Sequence, residues 1–422
     1  MEVFFLGIYR IKGGKRLYGQ VDVSGAKNAV LPIIAASVMT KGENCFDACP
    51  DISDVDSMLK ILKALGCKTG KEGSEIFVDA TNMTEWKIPA HLMREMRSSV
   101  FLAGSLLSRF GRAVISHPGG CNIGKRPIDI HIKGLEQLGA RVETRDNDIL
   151  IKADDMKPAL VKLDYPSVGA TENILLAAVS VEGETIIENS AREPEITDLQ
   201  NYLNKCGADV KGAGTGTITV NGGRSLFGCD HRIMPDRIEA GTFALMTASS
   251  GGKVMLKGAR AADISSLLYI LEGAGCRIGK PKEGVLVEAS GQEKVNANVK
   301  TAPYPGFPTD LHPQLTAFLA GNGAGSIIEE NIFENRMSYA KQLIKMGADI
   351  EISGKKVIIK NNNILYGTDV YAEDLRGGAA LVIAGLSAEG MTTVHNTKYI
   401  KRGYGGLEEK IRLIGGEISE YE

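Results

Sequence analysis

No stretch of this chain approaches the ~18 uninterrupted apolar residues that a membrane-crossing helix needs, so a spanning protein is not expected. Charge of one sign is lacking too. With 49 basic and 51 acidic residues the net charge is −2, which gives no broad field for nucleic acid or an anionic membrane. A local cluster of cations for a small anionic substrate needs no global charge and stays open. The cysteines (Cys45, Cys49, Cys67, Cys121, Cys206, Cys229, Cys276) are odd in number and widely spread, which argues against a disulfide framework and for a reducing, cytoplasmic compartment. Metal-ligand spacing is missing: Cys45 and Cys49 have no partnering Cys/His pair, and the histidines (His91, His117, His131, His231, His312, His395) form no HxxxH or HExxH. GxGxxG after a strand, GxxxxGK[ST] and GxSxG are absent as well, so neither a nucleotide fingerprint nor a serine-hydrolase elbow is expected. The start, MEVFFLGIYRIKGGK, has no basic residue ahead of its apolar run and reads as a strand, not a signal peptide.

What is present is a repeat. At 422 residues the chain exceeds the ~250–300 at which single cores stop growing, so two domains are expected. An amphipathic helix ending in glycine and followed by an alternating strand recurs six times, at Gly66, Gly139, Gly207, Gly275, Gly347 and Gly415. Between these copies lies a second pattern, an Ala-rich apolar helix, a turn and a short strand, whose copies begin near Ile33, Phe101, Leu175, Ala244, Ala317 and Leu381. Runs such as NILLAAVSV are apolar nearly all round and predict fully buried helices, while the helices before the glycines carry a Lys/Glu face and predict half burial. The reading is an α/β fold of two domains, each of three units with helices inside and sheets outside. A solenoid is the alternative, but its repeats run to only about 20–45 residues. The expected division is 1–24 with 235–422 as one discontinuous domain and 25–234 as the other, with the site in a cleft between them.

Several residues could carry chemistry. Cys121 lies in HPGGCNIGKRPIDIH, among Gly119, Gly120 and Gly124 and close to Lys125 and Arg126; a thiol beside cations is stabilised as thiolate. Taken alone, the loop also reads as a structural turn with an incidental cysteine. Lys27 precedes an apolar helix, where a cation conflicts with the helix dipole and a bound anion would resolve the conflict. Arg97, Asp236, Arg237, Glu239, Asp310, Arg376 and Arg402 stand mainly where buried helices open, suiting a site for a multiply charged anion.

SGAKNA, GGCNIGKRPIDIH, SVGATEN, NSAREPEITD, PDRIEAGTF, FPTD, FENRM, DLR and RGY follow in that order along essentially the whole chain. In this the chain resembles the enolpyruvyl transferase family, and within it the UDP-N-acetylglucosamine 1-carboxyvinyltransferases of peptidoglycan synthesis. The resemblance implies two inside-out α/β barrels of three repeats, and enolpyruvyl transfer from phosphoenolpyruvate to UDP-N-acetylglucosamine with no cofactor and no metal. It implies that Cys121 donates a proton to the phosphoenolpyruvate methylene, that Lys27 and Asn28 contact that substrate, that Arg126 and Arg402 clamp its charged groups, and that Asp310 is the general base. It places Arg97, the run Arg126, Pro127, Ile128, Asp129 and Ile130, the turn Ser167, Val168 and Gly169, and Ile332 at the UDP-sugar, and counts Arg336 and Arg376 among the substrate-binding residues. Phosphoenolpyruvate carries about three negative charges, which is why several cations must converge on it. Two departures stand out: Tyr165 where some relatives have lysine, and Lys401 where the family usually has an acid before RGY. Competing readings are transfer to shikimate 3-phosphate, and a weakly active or regulatory paralogue that only binds the UDP-sugar.

Overall fold

The computed structural model describes residues 7–95, 100–116, 128–145, 148–361 and 363–421. Two hydrophobic cores divide the chain, one built from side chains within 26–234, the other from those within 9–21 and 238–418. Backbone packing of the described residues separates the same two units, 7–24 with 235–421, and those between 25 and 234.

Each unit is built from three modules, and each module runs buried helix, strand, half-buried helix and strand pair; in the last module the pair is Glu417–Tyr421 with the N-terminal strand Ile8–Lys12. The buried helices are Lys27–Ala36, Leu102–Phe110 and Val168–Ala178 in one unit, and Arg237–Ser250, His312–Asn322 and Leu375–Ser387 in the other. The module helices that follow them, such as Ser53–Ala64 and Pro194–Lys205, bury one face only. Helices inside and sheets outside is the inside-out barrel that the repeat and the resemblance predict.

The sheets share one plan. In Asp230–Arg232, Glu43–Asp47, Glu75–Asp79, Lys68–Glu72, a parallel edge strand from one module pairs with the antiparallel strands of another. The same order appears in Asp369–Tyr371, Met391–His395, Ile8–Lys12, Glu417–Tyr421, where the N-terminal strand Ile8–Lys12 sits between strands from the far end of the chain. Leu17–Asp22 then pairs in parallel with Gly252–Lys257, so both strands of the N-terminal segment are stitched into the C-terminal unit. The three-stranded sheet of Arg112–Ser116, Asp148–Lys152 and Arg141–Arg145 has only the parallel bridge Lys87 to Val114 in place of the fourth strand.

The six repeat glycines explain why the modules turn alike. Gly66, Gly139, Gly207, Gly275, Gly347 and Gly415 all have φ between +90° and +109°. In each case the next residue's N–H reaches back to a carbonyl five residues earlier, as in Cys67 to Leu62 at 3.0 Å and Ala348 to Leu343 at 3.1 Å. This closes the helix C-terminus in a conformation that costs an ordinary L-residue roughly 1–2 kcal/mol.

One expectation needs correction. Five of the six buried helices begin more than a turn before their apolar runs, at Lys27, Val168, Arg237, His312 and Leu375. Their first two turns hold polar residues that are nonetheless buried, among them Glu172, Arg237, Glu239, His312 and Arg376. An apolar pattern misses a helical turn whose polar groups are satisfied from neighbouring elements. Among the described residues no helix is long and apolar enough to cross a membrane.

Candidate active site

The openings of the buried helices are where the sequence-predicted residues collect. A helix start exposes unpaired N–H groups and the positive end of the dipole. Three of these starts converge in the C-terminal unit. Asp236 accepts from the N–H groups of Ile238 (2.7 Å) and Glu239 (3.0 Å), and Asp374 accepts from those of Arg376 and Gly377 at 2.9 Å each. The helix from His312 has no side-chain cap; Pro313 occupies its first turn, where the missing N–H costs nothing.

Asp310 stands immediately before that helix, in the short turn Thr309–Leu311. Arg336 Nη2 donates to its Oδ1 at 2.8 Å and Arg376 Nη2 to its Oδ2 at 3.1 Å. The two guanidinium side chains are only 2% and 4% exposed, while the Asp310 side chain is 25% exposed, so the carboxylate is gripped from inside and keeps an open face. Arg376 also lies over the buried ring of Tyr404, 5.4 Å from its centroid, whose hydroxyl meets Thr242 at 2.8 Å and receives a bond from Gln314 at 3.1 Å. Burial lowers the tendency of Arg376 to stay protonated, but Tyr404, Asp310 and Asp236 hold it above its ordinary value. Nε and Nη1 of Arg376 are buried and make no hydrogen bond among the described residues. A site for an anion has that character.

Behind Asp310 lies a polar cluster that the sequence reading missed. Glu330 is fully buried and accepts from Thr301 (2.9 Å), Thr309 (2.8 Å), His312 Nδ1 (2.8 Å) and the N–H groups of Ile332 (2.8 Å) and Phe333 (3.1 Å). Thr309 in turn accepts from Arg336 Nη1 at 2.8 Å. One carboxylate thus fixes both Ile332 and the turn that carries Asp310. The only signal in the sequence is an acid straight after the strand Ile327–Glu329, where an ordinary surface charge is the simpler reading.

Arg402 ends the helical turn Thr397–Arg402 and is half-buried, two residues before Tyr404. The departure at Lys401 proves local: its Nζ pairs with Glu420 at 2.5 Å, so the extra positive charge is compensated within the same unit. Glu239, read as a possible site residue, is structural: it accepts from Lys410 Nζ at 2.7 Å and from the Ser24 N–H at 2.6 Å.

In the N-terminal unit Lys27 is the first residue of Lys27–Ala36, a helix with no side-chain cap. The conflict between its charge and the helix dipole is met by Asp54, whose Oδ2 lies 2.6 Å from Nζ in a buried pair. Asn28 follows, half-buried, and Pro32 supplies no N–H to its carbonyl, which is left outside the helical ladder. Ile128 is buried at the opening of Asp129–Gln137; Asp129 and Ile130 form its first turn. Ser167 caps Val168–Ala178 through a bond from the Ala170 N–H at 3.4 Å. At Gly169 a Cβ would come 3.0 Å from Phe101 and 3.2 Å from His131, so a larger residue would need both rings to give by a few tenths of an ångström. Asn173, unremarked in the sequence reading, ties three elements together: its Oδ1 accepts from the Gly104 N–H at 2.5 Å, and its amide nitrogen meets the Val100 carbonyl (3.2 Å) and His131 Nδ1 (3.1 Å). Tyr165 is 40% exposed. Cys121, Arg97, Lys125, Arg126 and Pro127 lie outside the described residues.

Glu172, also in this helix, is fully buried, and neither carboxylate oxygen has a partner among the described residues. Burial raises its affinity for a proton well above the ordinary carboxylate range, and the negative charges of Glu195 and Glu193 raise it further. A group whose folded pKa lies above its unfolded value contributes fully below the unfolded value and loses that contribution as pH rises. Glu172→Gln is therefore expected to raise the melting temperature by a few degrees at pH 7–8 and to leave it unchanged at pH 4. Thermal scans at both pH values check this, and equal shifts at both would rule out proton uptake as the cause.

The family profile described as EPSP synthase (3-phosphoshikimate 1-carboxyvinyltransferase) matches residues 11–411. A protein of Caldanaerobacter subterraneus subsp. tengcongensis named UDP-N-acetylglucosamine 1-carboxyvinyltransferase 2 is 45% identical over 413 residues, covering 98% of this chain and 99% of its own. One of the same name from Carboxydothermus hydrogenoformans is 46% identical over 410 residues, covering 97% and 98%. Among solved structures, the enolpyruvyl transferase NikO of Streptomyces tendae superposes with a TM-score of 0.89 at 25% identity, covering 98% of each chain. An EPSP synthase of Acinetobacter baumannii superposes at 0.76 with 20% identity over 99% of this chain and 100% of its own, a likeness of fold.

Proposed function

The chain belongs to the EPSP synthase family of carboxyvinyl transferases, and from that premise we propose how its residues divide the work of one reaction. The protein is a transferase that moves the enolpyruvyl group of phosphoenolpyruvate to the 3-hydroxyl of UDP-N-acetylglucosamine and releases phosphate. This is the committed entry into peptidoglycan synthesis, and its setting is the cytoplasm.

The observation that carries the residue assignment is the double arginine grip on Asp310. Its half-open carboxylate takes the proton of the sugar 3-hydroxyl as that oxygen attacks C2 of phosphoenolpyruvate. Cys121 delivers a proton to the methylene carbon in the same step, giving a tetrahedral adduct. Loss of a proton from the new methyl group and departure of phosphate then restore the double bond. Acid and base each contribute roughly 10²–10⁴-fold. Arg126, Arg402, Lys27 and Asn28 hold the three negative charges of phosphoenolpyruvate, and the buried Nε and Nη1 of Arg376 suit a carboxylate or phosphate oxygen. Arg97, Pro127, Ile128, Asp129, Ile130, Ser167, Val168, Gly169, Ile332 and Arg336 line or support the UDP-sugar.

Phosphate release from phosphoenolpyruvate is expected with UDP-N-acetylglucosamine and not with shikimate 3-phosphate, with a product heavier than the UDP-sugar by one enolpyruvyl group. Release with shikimate 3-phosphate alone would reassign the acceptor. UDP-sugar binding without release would leave a regulatory paralogue. A phosphonate epoxide such as fosfomycin is expected to add once, at Cys121, and not to the Cys121→Ala variant; persistent labelling there would move the reactive thiol elsewhere.

A further inference from the structure

Away from every residue assigned above, two thiols of the N-terminal unit face each other. Cys206 Sγ and Cys229 Sγ are 3.3 Å apart, across 23 residues of sequence. Cys206 ends the helix Pro194–Lys205 and is 2% exposed; Cys229 precedes the strand Asp230–Arg232 and is half-buried, so Cys229 is the more accessible residue of the two. Both backbones are held. The Phe227 N–H donates to the Cys206 carbonyl at 2.9 Å, the Cys229 N–H to Asn44 Oδ1 at 3.3 Å, and the Cys229 carbonyl accepts from the Cys45 N–H at 3.2 Å. A disulfide needs sulfurs about 2.05 Å apart, so the remaining gap is within reach of side-chain rotation.

We propose that Cys206 and Cys229 form a dithiol redox site, oxidised by a hydroperoxide to an intramolecular disulfide. The Cys229 thiolate attacks a peroxide oxygen: an S–O bond forms, the O–O bond breaks, and the departing oxygen leaves as water after taking up a proton. Cys206 then gives up its proton and attacks the sulfenic sulfur. The S–S bond forms, the S–O bond breaks, and a second water leaves. Two thiols and one hydrogen peroxide thus yield one disulfide and two waters, with the protein oxidised by two electrons. The order of attack follows from access, and from the bond with Cys206, which favours the Cys229 thiolate against the opposing effect of burial, with Lys205 assisting and Asp230 opposing. Cys206 is held as the thiol by its bond with Cys229 and by burial. The other described cysteines lack this arrangement: burial pushes Cys49 and Cys276 up to about 12 and Cys67 up to about 11. Burial and the neighbouring Asp230 also raise Cys45, whose sulfur lies 3.9 Å from Glu43.

Trypsin separates the two cysteines by cutting after Lys205, Lys211, Arg224 and Arg232, which makes the test direct. The full-length reduced protein is treated with hydrogen peroxide under native conditions, then denatured, alkylated and mapped by mass. The linked pair CGADVK and SLFGCDHR, two hydrogens lighter than the sum of its parts, is expected at least tenfold earlier than oxidation of Cys49, Cys67 or Cys276. In Cys206→Ser the link is absent and dimedone traps a sulfenic acid at Cys229; in Cys229→Ser, Cys206 stays alkylatable. Circular dichroism confirms that each variant is folded. Recovery of both thiols in the wild type while other cysteines oxidise, or a link that forms only in urea, overturns the proposal. A sulfenic acid at Cys206 in Cys229→Ser overturns the assigned order of attack.

Discussion

Asp310→Asn is expected to cut the turnover number for phosphate release by roughly 10²–10⁴-fold while KM for each substrate changes less than tenfold. The amide is nearly isosteric and keeps one carbonyl oxygen for an arginine, so the substrates find much the same surroundings. What it lacks is a proton acceptor for the sugar hydroxyl. Its NH₂ group also faces one of two guanidiniums that now share no counter-charge, and both are buried. Some loss of stability follows, so the rates are to be compared well below the variant's melting transition. The pH dependence separates the roles: the acidic limb of turnover that reports a base disappears in the variant, whereas a residue needed only for structure would lower the whole profile without changing its form. A variant within tenfold of the parent turnover would remove Asp310 from the chemistry and leave it as the anchor of Arg336 and Arg376.

Much of the architecture was legible because it is repeated. Six glycines at nearly constant spacing announce six helix ends, and each of them takes a left-handed φ in the structure. Such positions depend on the local chain alone, so a sequence can display them. The helix starts were less legible. Glu172, Arg237, Glu239 and Arg376 interrupt the apolar pattern, and nothing in a linear reading shows that they continue the helix into the interior, yet all are buried. Their partners lie far off in sequence: Glu239 meets Ser24 and Lys410, and Arg376 meets Asp310, 66 residues away. The same holds within the candidate site. Arg336 and Arg376 were named from their motifs, but nothing in those motifs says that both point at one carboxylate. Asn173 and Glu330 were missed because a hydrogen-bond hub has no sequence period; it is recognised only when its donors are seen together. The two cysteines on which the redox proposal stands were likewise unremarkable as members of an odd set of seven.

Glu330→Gln is expected to destabilise the protein at pH 7 by about 3 kcal/mol, with the deficit shrinking as pH falls below 5. Burial on its own would raise the carboxyl's pKa, but the bond from His312, the attraction of that ring's charge, the N–H of Ile332 and the hydroxyl of Thr309 bring it down to about 2. Its ordinary value is 4.5. The folded value is thus depressed, so the contribution is present above the ordinary value and is lost as pH falls toward the folded one. A difference of that size corresponds to about 3 kcal/mol at neutral pH. His312 Nδ1 lies 2.8 Å from Glu330 and Nε2 lies 2.9 Å from Tyr339 Oη; burial holds the ring's affinity for a proton below its ordinary value, although the bond and charge of Glu330 work the other way. The carboxylate is met on both oxygens by donors, and a glutamine, with one acceptor oxygen and an NH₂ facing that ring of donors, cannot replace it. Urea titrations at pH 7, 4 and 3 read the expected narrowing of the gap between variant and parent, most of which falls below pH 4. The activity readout tests the link to the site, since Glu330 holds Thr309 and Thr309 holds Arg336: turnover should fall by at least tenfold in the folded variant, and Glu330→Asp, which keeps the charge, should recover part of it. A stability deficit independent of pH would mean that the buried carboxylate contributes through packing alone, and unchanged turnover would detach it from the positioning of Asp310.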